Sequence, residues 1–249
     1  MKSVSFISVN YKSSHLINQL EDLLSVFDVE YIVADNSGDF EPVSSRTVVV
    51  DTGGNVGFGR ACNAGAQKSS SNIIIFVNPD IEINRRCVEG LIRRAGDFKP
   101  YSIWGPFIRD GKNEVPILEQ PGNASLLYKR RTLSSEEMKL EKIYTSYVSG
   151  ACMVVDREFF WKVQGFNKDI FLYAEDLDFC IRAKAKGAEV FLLSEFEISH
   201  SGGGSSTKMD KFFRMQRSTV GHYKFLRAHG SPAIQAGLNA IHLASGRRF

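Results

Sequence analysis

Ile73-Ile74-Ile75-Phe76-Val77-Asn78-Pro79-Asp80 delivers an unbroken apolar run straight into a turn. A short run of this kind reads as a fully buried strand. The proline ends it, because the residue before a proline is pushed away from helical backbone angles. The same pattern occurs upstream. Val4 to Val9 runs into Asn10-Tyr11, Tyr31 to Ala34 into Asp35-Asn36-Ser37-Gly38, and Thr47 to Val50 into Asp51-Thr52-Gly53-Gly54. Residues 13 to 27 carry helical spacing through Leu16, Leu20, Leu23, Leu24 and Phe27, and helices are also expected over 58 to 68 and near 85 to 95. Strands alternating with helices predict an α/β fold with a mostly parallel sheet covered on both faces. Such sheets bind ligands beyond the carboxyl ends of their strands. Turns favour Asp, Asn and Gly by themselves, so no single strand end is informative. The set Asp35, Asp51, Asn78 and Asp80 at one edge is what predicts a site.

The 249 residues suit one large α/β domain, alone or with a small appendage. Hydrophobic residues at 43% and charged residues at 24% support a packed core rather than disorder. A net charge of +3 gives no reason to expect nucleic acid as a partner. Cys62, Cys87, Cys152 and Cys180 form no C-x-x-C pair, which removes zinc ribbons and thioredoxin-type sites and predicts reduced, buried thiols. The opening apolar run is too short for a signal peptide and no stretch is long enough to span a membrane, so a cytoplasmic location is expected.

Residues 109 to 146 read as a variable loop or subdomain. Tyr147 to Val155 reads as a buried strand, with Asp156 able to cap the helix after it. Three clusters beyond the first strands carry chemistry. Asn78-Pro79-Asp80 suits Mg²⁺ or Mn²⁺, which prefer oxygen ligands and share them with substrate phosphates. Phe171-Leu172-Tyr173-Ala174-Glu175-Asp176-Leu177-Asp178-Phe179 sets three acids among apolar residues at a helix start. Dipole compensation accounts for one or two acids in a first turn. Adjacent carboxylates in apolar surroundings also have raised pKa values and serve as bases. His200 precedes a glycine run, Gly202-Gly203-Gly204, after a strand-like segment from Val190 to Ile198. Imidazole there is either structural or a metal ligand. Gly53-Gly54-Asn55-Val56-Gly57-Phe58-Gly59 has the wrong spacing and follows the wrong strand for a dinucleotide fingerprint, which argues against a nicotinamide enzyme.

Val9-Asn10-Tyr11, Ala34-Asp35-Asn36-Ser37, Asn55-Val56-Gly57-Phe58-Gly59, Asn63, Asn78-Pro79-Asp80, Ser149-Gly150-Ala151, Gly165-Phe166, the Phe171–Asp178 cluster and His200 occur in that order. In order and combination they resemble the family-2 inverting glycosyltransferases, especially the bacterial rhamnosyltransferase-like branch. The resemblance implies a GT-A fold, Rossmann-like, over residues 1 to 206, a nucleotide-sugar donor, and a glycan acceptor that is lipid-linked in many relatives. It places Asn10, Asp35, Asn55, Asn63, Asn78 and Asp80 at the nucleotide-sugar. It makes Asp80 and His200 ligands of a divalent cation, Mg²⁺ or Mn²⁺, and Asp176 the catalytic base, with Glu175 and Asp178 at the acceptor. Asn78 stands where the family usually has Asp, which leaves one fewer negative charge at the cation.

Residues 207 to 249 read as a basic, helical extension. Lys208, Lys211, Arg214, Arg217, Lys224 and Arg227 face one acid, Asp210, within it. Such a helix lies on an anionic membrane surface, here the inner face of the plasma membrane, or packs on its own domain. The expected activity is transfer of a sugar, L-rhamnose from dTDP-rhamnose on the resemblance, onto a bacterial surface polysaccharide. The rivals are a UDP-sugar donor carrying galactofuranose, galactose or N-acetylglucosamine, and a catalytically silent module that binds nucleotide-sugars.

Overall fold

The computed structural model describes residues 2–109, 115–119, 129–200 and 223–229. Four strands, β1 (Val4–Asn10), β2 (Glu30–Asp35), β3 (Thr47–Asp51) and β4 (Ile73–Val77), run parallel in the order β3-β2-β1-β4. The helices α1 (Ser14–Leu24), α2 (Phe58–Lys68) and α3 (Arg85–Arg94) fall where the sequence spacing places them, and the short strand β5 (Ile81–Glu82) precedes α3. The Asn84 side chain accepts from the Cys87 backbone N–H at 2.9 Å and starts α3.

The second half holds β6 (Ser102–Arg109), a separate hairpin of β7 (Pro116–Glu119) and β8 (Lys129–Thr132), and then β9 (Lys142–Tyr144). After these come β10 (Cys152–Asp156), α4 (Arg157–Lys162), α5 (Glu175–Lys184) and β11 (Glu189–His200). They extend the sheet to β3-β2-β1-β4-β10-β6-β11-β5, with β9 on β11. Residues 223–229 form one more helix.

Period-two alternation divides the core. Ile7, Val9, Ile74 and Phe76 face α2, α4 and α5 through Ala61, Cys62, Phe160, Phe179 and Cys180. Val4, Phe6, Ile73 and Ile75 face α1 and α3 through Ile17, Leu20, Val88 and Leu91. Helices therefore cover both sheet faces, as the alternation of elements requires. Asp156 caps α4 as expected, its Oδ1 accepting from the Phe159 N–H at 3.0 Å. All four cysteines are buried and free. Among the described residues no helix is long and apolar enough to cross a membrane.

Two features depart from the sequence reading. Tyr147 to Ala151 is a turn-rich loop, and the strand begins at Cys152. That strand, β10, runs antiparallel to both β4 and β6, so the sheet is parallel in its first half and mixed beyond it. An apolar run reports burial but not direction. The reversal matters for the site. With Cys152 paired to Val77, the start of β10, not its end, lies at the carboxyl edge of β4.

Candidate active site

The parallel strands bring Asn10, Asp35, Asp51 and Asn78 to one edge of the sheet. At its first end, Asn10 Nδ2 donates to Asp35 Oδ1 at 3.0 Å and to Asp39 Oδ1 at 2.8 Å, while Asn10 Oδ1 accepts from the Ser13 N–H at 3.1 Å. Asp35 Oδ1 also accepts the N–H groups of Ser37 and Gly38, each at 3.0 Å, and Oδ2 accepts that of Phe40 at 3.1 Å. Burial pushes the Asp35 carboxyl up, but these hydrogen bonds outweigh it and hold the group below its ordinary value. Asp35 is thus an ionised anchor that shapes the turn after β2.

The Thr52 hydroxyl lies 2.8 Å from Asp35 O and from Asn36 Oδ1, which fixes the start of the glycine-rich loop to the same strand end. Asn55 sits exposed in that loop, its Oδ1 accepting from the Gly57 N–H at 3.2 Å. Gly57 has φ of 93° and a Cβ there would meet Phe171 O at 2.4 Å, so both conformation and space demand glycine. The Phe58 N–H donates to that same Phe171 oxygen at 2.9 Å and ties the loop to the acidic segment. Asn63, expected at the nucleotide, is buried. Its Nδ2 donates to Phe166 O at 2.8 Å and its Oδ1 accepts the Phe166 N–H at 2.9 Å. With both ends of the amide on the backbone of Phe166, Asn63 locks α2 to the segment ahead of α5.

The loop before β10 joins the two chemical clusters. Ala151 O accepts the Asn78 N–H at 2.9 Å, and the neighbouring Gly150 N–H donates to Asp176 Oδ2 at 3.0 Å. A Cβ on Gly150 would lie 3.1 Å from the Phe58 ring and 3.7 Å from Asp176 Cβ, so glycine permits this approach. Asp176 Oδ1 accepts the Leu177 N–H at 2.8 Å. It thereby satisfies part of the first turn of α5, whose N-cap, Ala174, has no capping side chain. Tyr173 and Ala174 are both left-handed, with φ of 67° and 73°. Two consecutive non-glycine residues in that region store strain immediately before the acids.

Helical geometry turns Asp176 away from Glu175 and Asp178, which at i and i+3 share the buried side of α5. Asp176 is half-buried at the edge. Glu175 points inward, 5% exposed, with its side chain beneath Gly59 and Oε2 without a hydrogen-bond partner. Asp178, expected at the acceptor, is 1% exposed and bonds Arg182 Nε at 2.8 Å and His229 Nε2 at 2.7 Å.

Residues 14–164 match the family described as Glycosyl transferase family 2, which is over half of the chain. The chain belongs to glycosyl transferase family 2. This transferase is 26% identical over 229 residues to the low-salt glycan biosynthesis hexosyltransferase Agl10 of Haloferax volcanii, covering 86% of this chain and 72% of that protein. It is 26% identical over 209 residues to the N-acetylglucosaminyl-diphospho-decaprenol L-rhamnosyltransferase of Mycobacterium tuberculosis, covering 69% and 66% of the two chains. Its fold matches that of the mannosyltransferase PcManGT from Pyrobaculum calidifontis, solved with GDP-Man and Mn²⁺. The TM-score is 0.63 at 13% identity, over 99% of this chain and 76% of that one. The GT-A architecture expected from the sequence is thus the architecture found.

Asp80 lies in the turn between β4 and β5. His200 pairs with Ile81 in the antiparallel β11–β5 ladder, which sets its backbone beside the residue that follows Asp80. Among the described residues no group of three or more His, Cys, Asp or Glu forms a closed metal cage. An oxygen ligand such as the Asp80 carboxylate is of the kind that Mg²⁺ or Mn²⁺ prefers, with substrate phosphates completing the shell.

Burial and the neighbouring Asp176 charge push the Glu175 carboxyl of the transferase from 4.5 to about 8. The folded state then holds a proton that the unfolded chain has lost, so this group lowers stability progressively between those two values and by a constant amount above them. Glu175→Gln keeps the shape without the titration. Its melting temperature relative to wild type should climb from pH 5 to pH 8, by the equivalent of a few kcal/mol at about 1.4 kcal/mol per unit, and then level. A pH-independent difference in scanning calorimetry would place Glu175 outside this titration.

Proposed function

We propose that this transferase is an inverting enzyme that moves a sugar, L-rhamnose from dTDP-rhamnose, onto a lipid-linked glycan of a bacterial cell surface. The observation that carries the reading is the loop 149–151. Its adjacent residues hold the Asn78 turn, where a diphosphate would lie, and the Asp176 carboxylate, where an acceptor hydroxyl would lie. Inversion needs attack on the anomeric carbon from the face opposite the leaving nucleotide. It therefore needs a base on the acceptor side and charge neutralisation on the diphosphate side. Asp176 is the base in this reading and removes the hydroxyl proton as the C–O bond forms. A divalent cation at Asp80 and His200 supplies the charge neutralisation when bound. Asp35 offers the second lone pair of its Oδ2 to the imide N–H of a pyrimidine, while Asn10 and the N–H groups of Ser37, Gly38 and Phe40 hold that carboxylate in place. Asn55 adds an exposed amide and Asn78 a half-buried one along the same edge.

The rhamnose assignment draws support from the mycobacterial relative, whose name gives both the sugar and a decaprenol-linked acceptor. A panel of nucleoside diphosphates with Mn²⁺ in a thermal-shift assay tests it. At about 100 times its Kd, dTDP should stabilise the fold by about 2.7 kcal/mol, and by more than UDP or GDP. Preference for UDP would transfer the assignment to a UDP-sugar. Stabilisation without any release of dTDP from dTDP-rhamnose, with or without acceptor, would mark a silent binding module instead.

A further inference from the structure

Helix 223–229 lies across the start of α5. Phe225, 4% exposed, packs on Ala174 and Leu177, and its ring lies 5.0 Å from the imidazole of His229. Lys224 Nζ donates to Asp169 O at 2.8 Å, on the segment leading into the acids. The closest polar contact is His229 Nε2 to Asp178 Oδ1, at 2.7 Å. Burial pushes the Asp178 carboxyl up, but His229 and Arg182 overcome this and keep it below its ordinary value. An ionised carboxylate only accepts, so Nε2 carries the proton in this contact. Asp178 Oδ2 takes Arg182 Nε at 2.8 Å, and the same guanidinium donates to Gly165 O at 2.8 Å. The carboxylate of Asp178 is therefore a junction between the C-terminal helix, α5 and the turn that Asn63 clamps.

The junction sits where the backbone most needs support. The left-handed pair Tyr173 and Ala174 directly precedes Glu175 and Asp176. Such a pair persists only when its surroundings over-determine it. Gly57 and Phe58 hold Phe171 from one side, and Phe225 covers Ala174 from the other.

We propose that His229 is a positioning residue of this transferase: through Asp178 it fastens helix 223–229 over the first turn of α5 and so fixes the direction in which Asp176 presents its carboxylate. The proposal rests on the reading of Asp176 as the base. His229 does not touch the reacting atoms in it, and its effect is on turnover rather than on donor binding.

The full chain carries the test, with release of dTDP from dTDP-rhamnose and Mn²⁺ as one readout and hydrogen exchange at the amides of residues 174–178 as the other. His229→Ala should lower kcat about tenfold, since small misplacement of a reacting group has effects of this size, and leave donor KM within about twofold. Exchange at 174–178 should quicken. His229→Gln should recover most of the turnover and the protection, because its amide nitrogen reaches the place of Nε2 and donates there. Phe225→Ala should behave like His229→Ala. A wild-type kcat in His229→Ala overturns the proposal, as does a Gln variant that folds but is no better than Ala. So does a fall of kcat together with donor affinity, which marks a merely structural contact. Failure of the Asp176 reading looks different: Asp176→Asn then turns over normally, while the exchange difference between the Ala and Gln variants remains.

Discussion

Asp176→Asn should lower kcat by about 10²–10⁴, the range for losing a positioned general base, and leave nucleotide affinity nearly unchanged. The acceptor hydroxyl is a poor nucleophile until its proton leaves. An amide is close to isosteric with the carboxylate but has no useful basicity. The surroundings of Asp176 allow a clean substitution. Its two oxygens accept from the backbone N–H groups of Gly150 and Leu177. An asparagine keeps one of these acceptors and loses the other, which costs about 0.5–1.5 kcal/mol of stability and leaves the fold in place. Glu175 supplies the control. Buried beneath Gly59, with its carboxyl pushed up by burial and the neighbouring Asp176 charge, it is poorly placed to take a proton from an acceptor. Glu175→Gln should retain turnover within about tenfold and act mainly through KM. A normal rate in Asp176→Asn beside a dead Glu175→Gln would reverse the two roles.

Removing divalent cations should lower turnover by about two orders of magnitude or more, because neutralising the charge on a departing diphosphate is worth several kcal/mol. Activity should return with Mn²⁺ or Mg²⁺. Asp80→Ala should reproduce the loss at ordinary metal concentrations and resist rescue, and His200→Ala should weaken Mn²⁺-dependent nucleotide binding in calorimetry. Asn78 is uncharged, and the register of β5 with β11 sets the backbone of His200 beside Ile81, the residue after Asp80. The cation should consequently bind weakly to the protein alone and more tightly once a nucleoside diphosphate is present. Asn78→Asp adds the missing charge and should tighten Mn²⁺ binding. Full activity after thorough chelation would remove the cation from the reaction.

Much of the fold was legible because its signals are local. The apolar runs ending at Asn10, Asp35, Asp51 and Asn78 identify buried strands from a few adjacent residues, and the helical spacing between them needs no partner to be read. That the four ends share one edge follows from their parallel pairing. The proposed cation site is partly legible for the same reason, since Asp80 lies in the turn that directly follows the end of β4.

Tertiary structure alone decided the rest, because each of its elements is a contact between segments remote in sequence. Nothing in Cys152 to Asp156 states that β10 runs backwards, yet this reversal carries Gly150 and Ala151 to the edge where Asn78 ends β4. Glu175, Asp176 and Asp178 are chemically alike in sequence. Folding makes one neutral beneath Gly59, one an edge carboxylate held by Gly150, and one a buried junction for Arg182 and His229. Asn63 reads as a polar group for a ligand until Phe166 takes both ends of its amide. His229 carries no pattern at all, and only its 2.7 Å contact with Asp178 gives it meaning. Protonation state and hydrogen-bond partner depend on burial and distance, and a linear sequence specifies those only through the fold it forms.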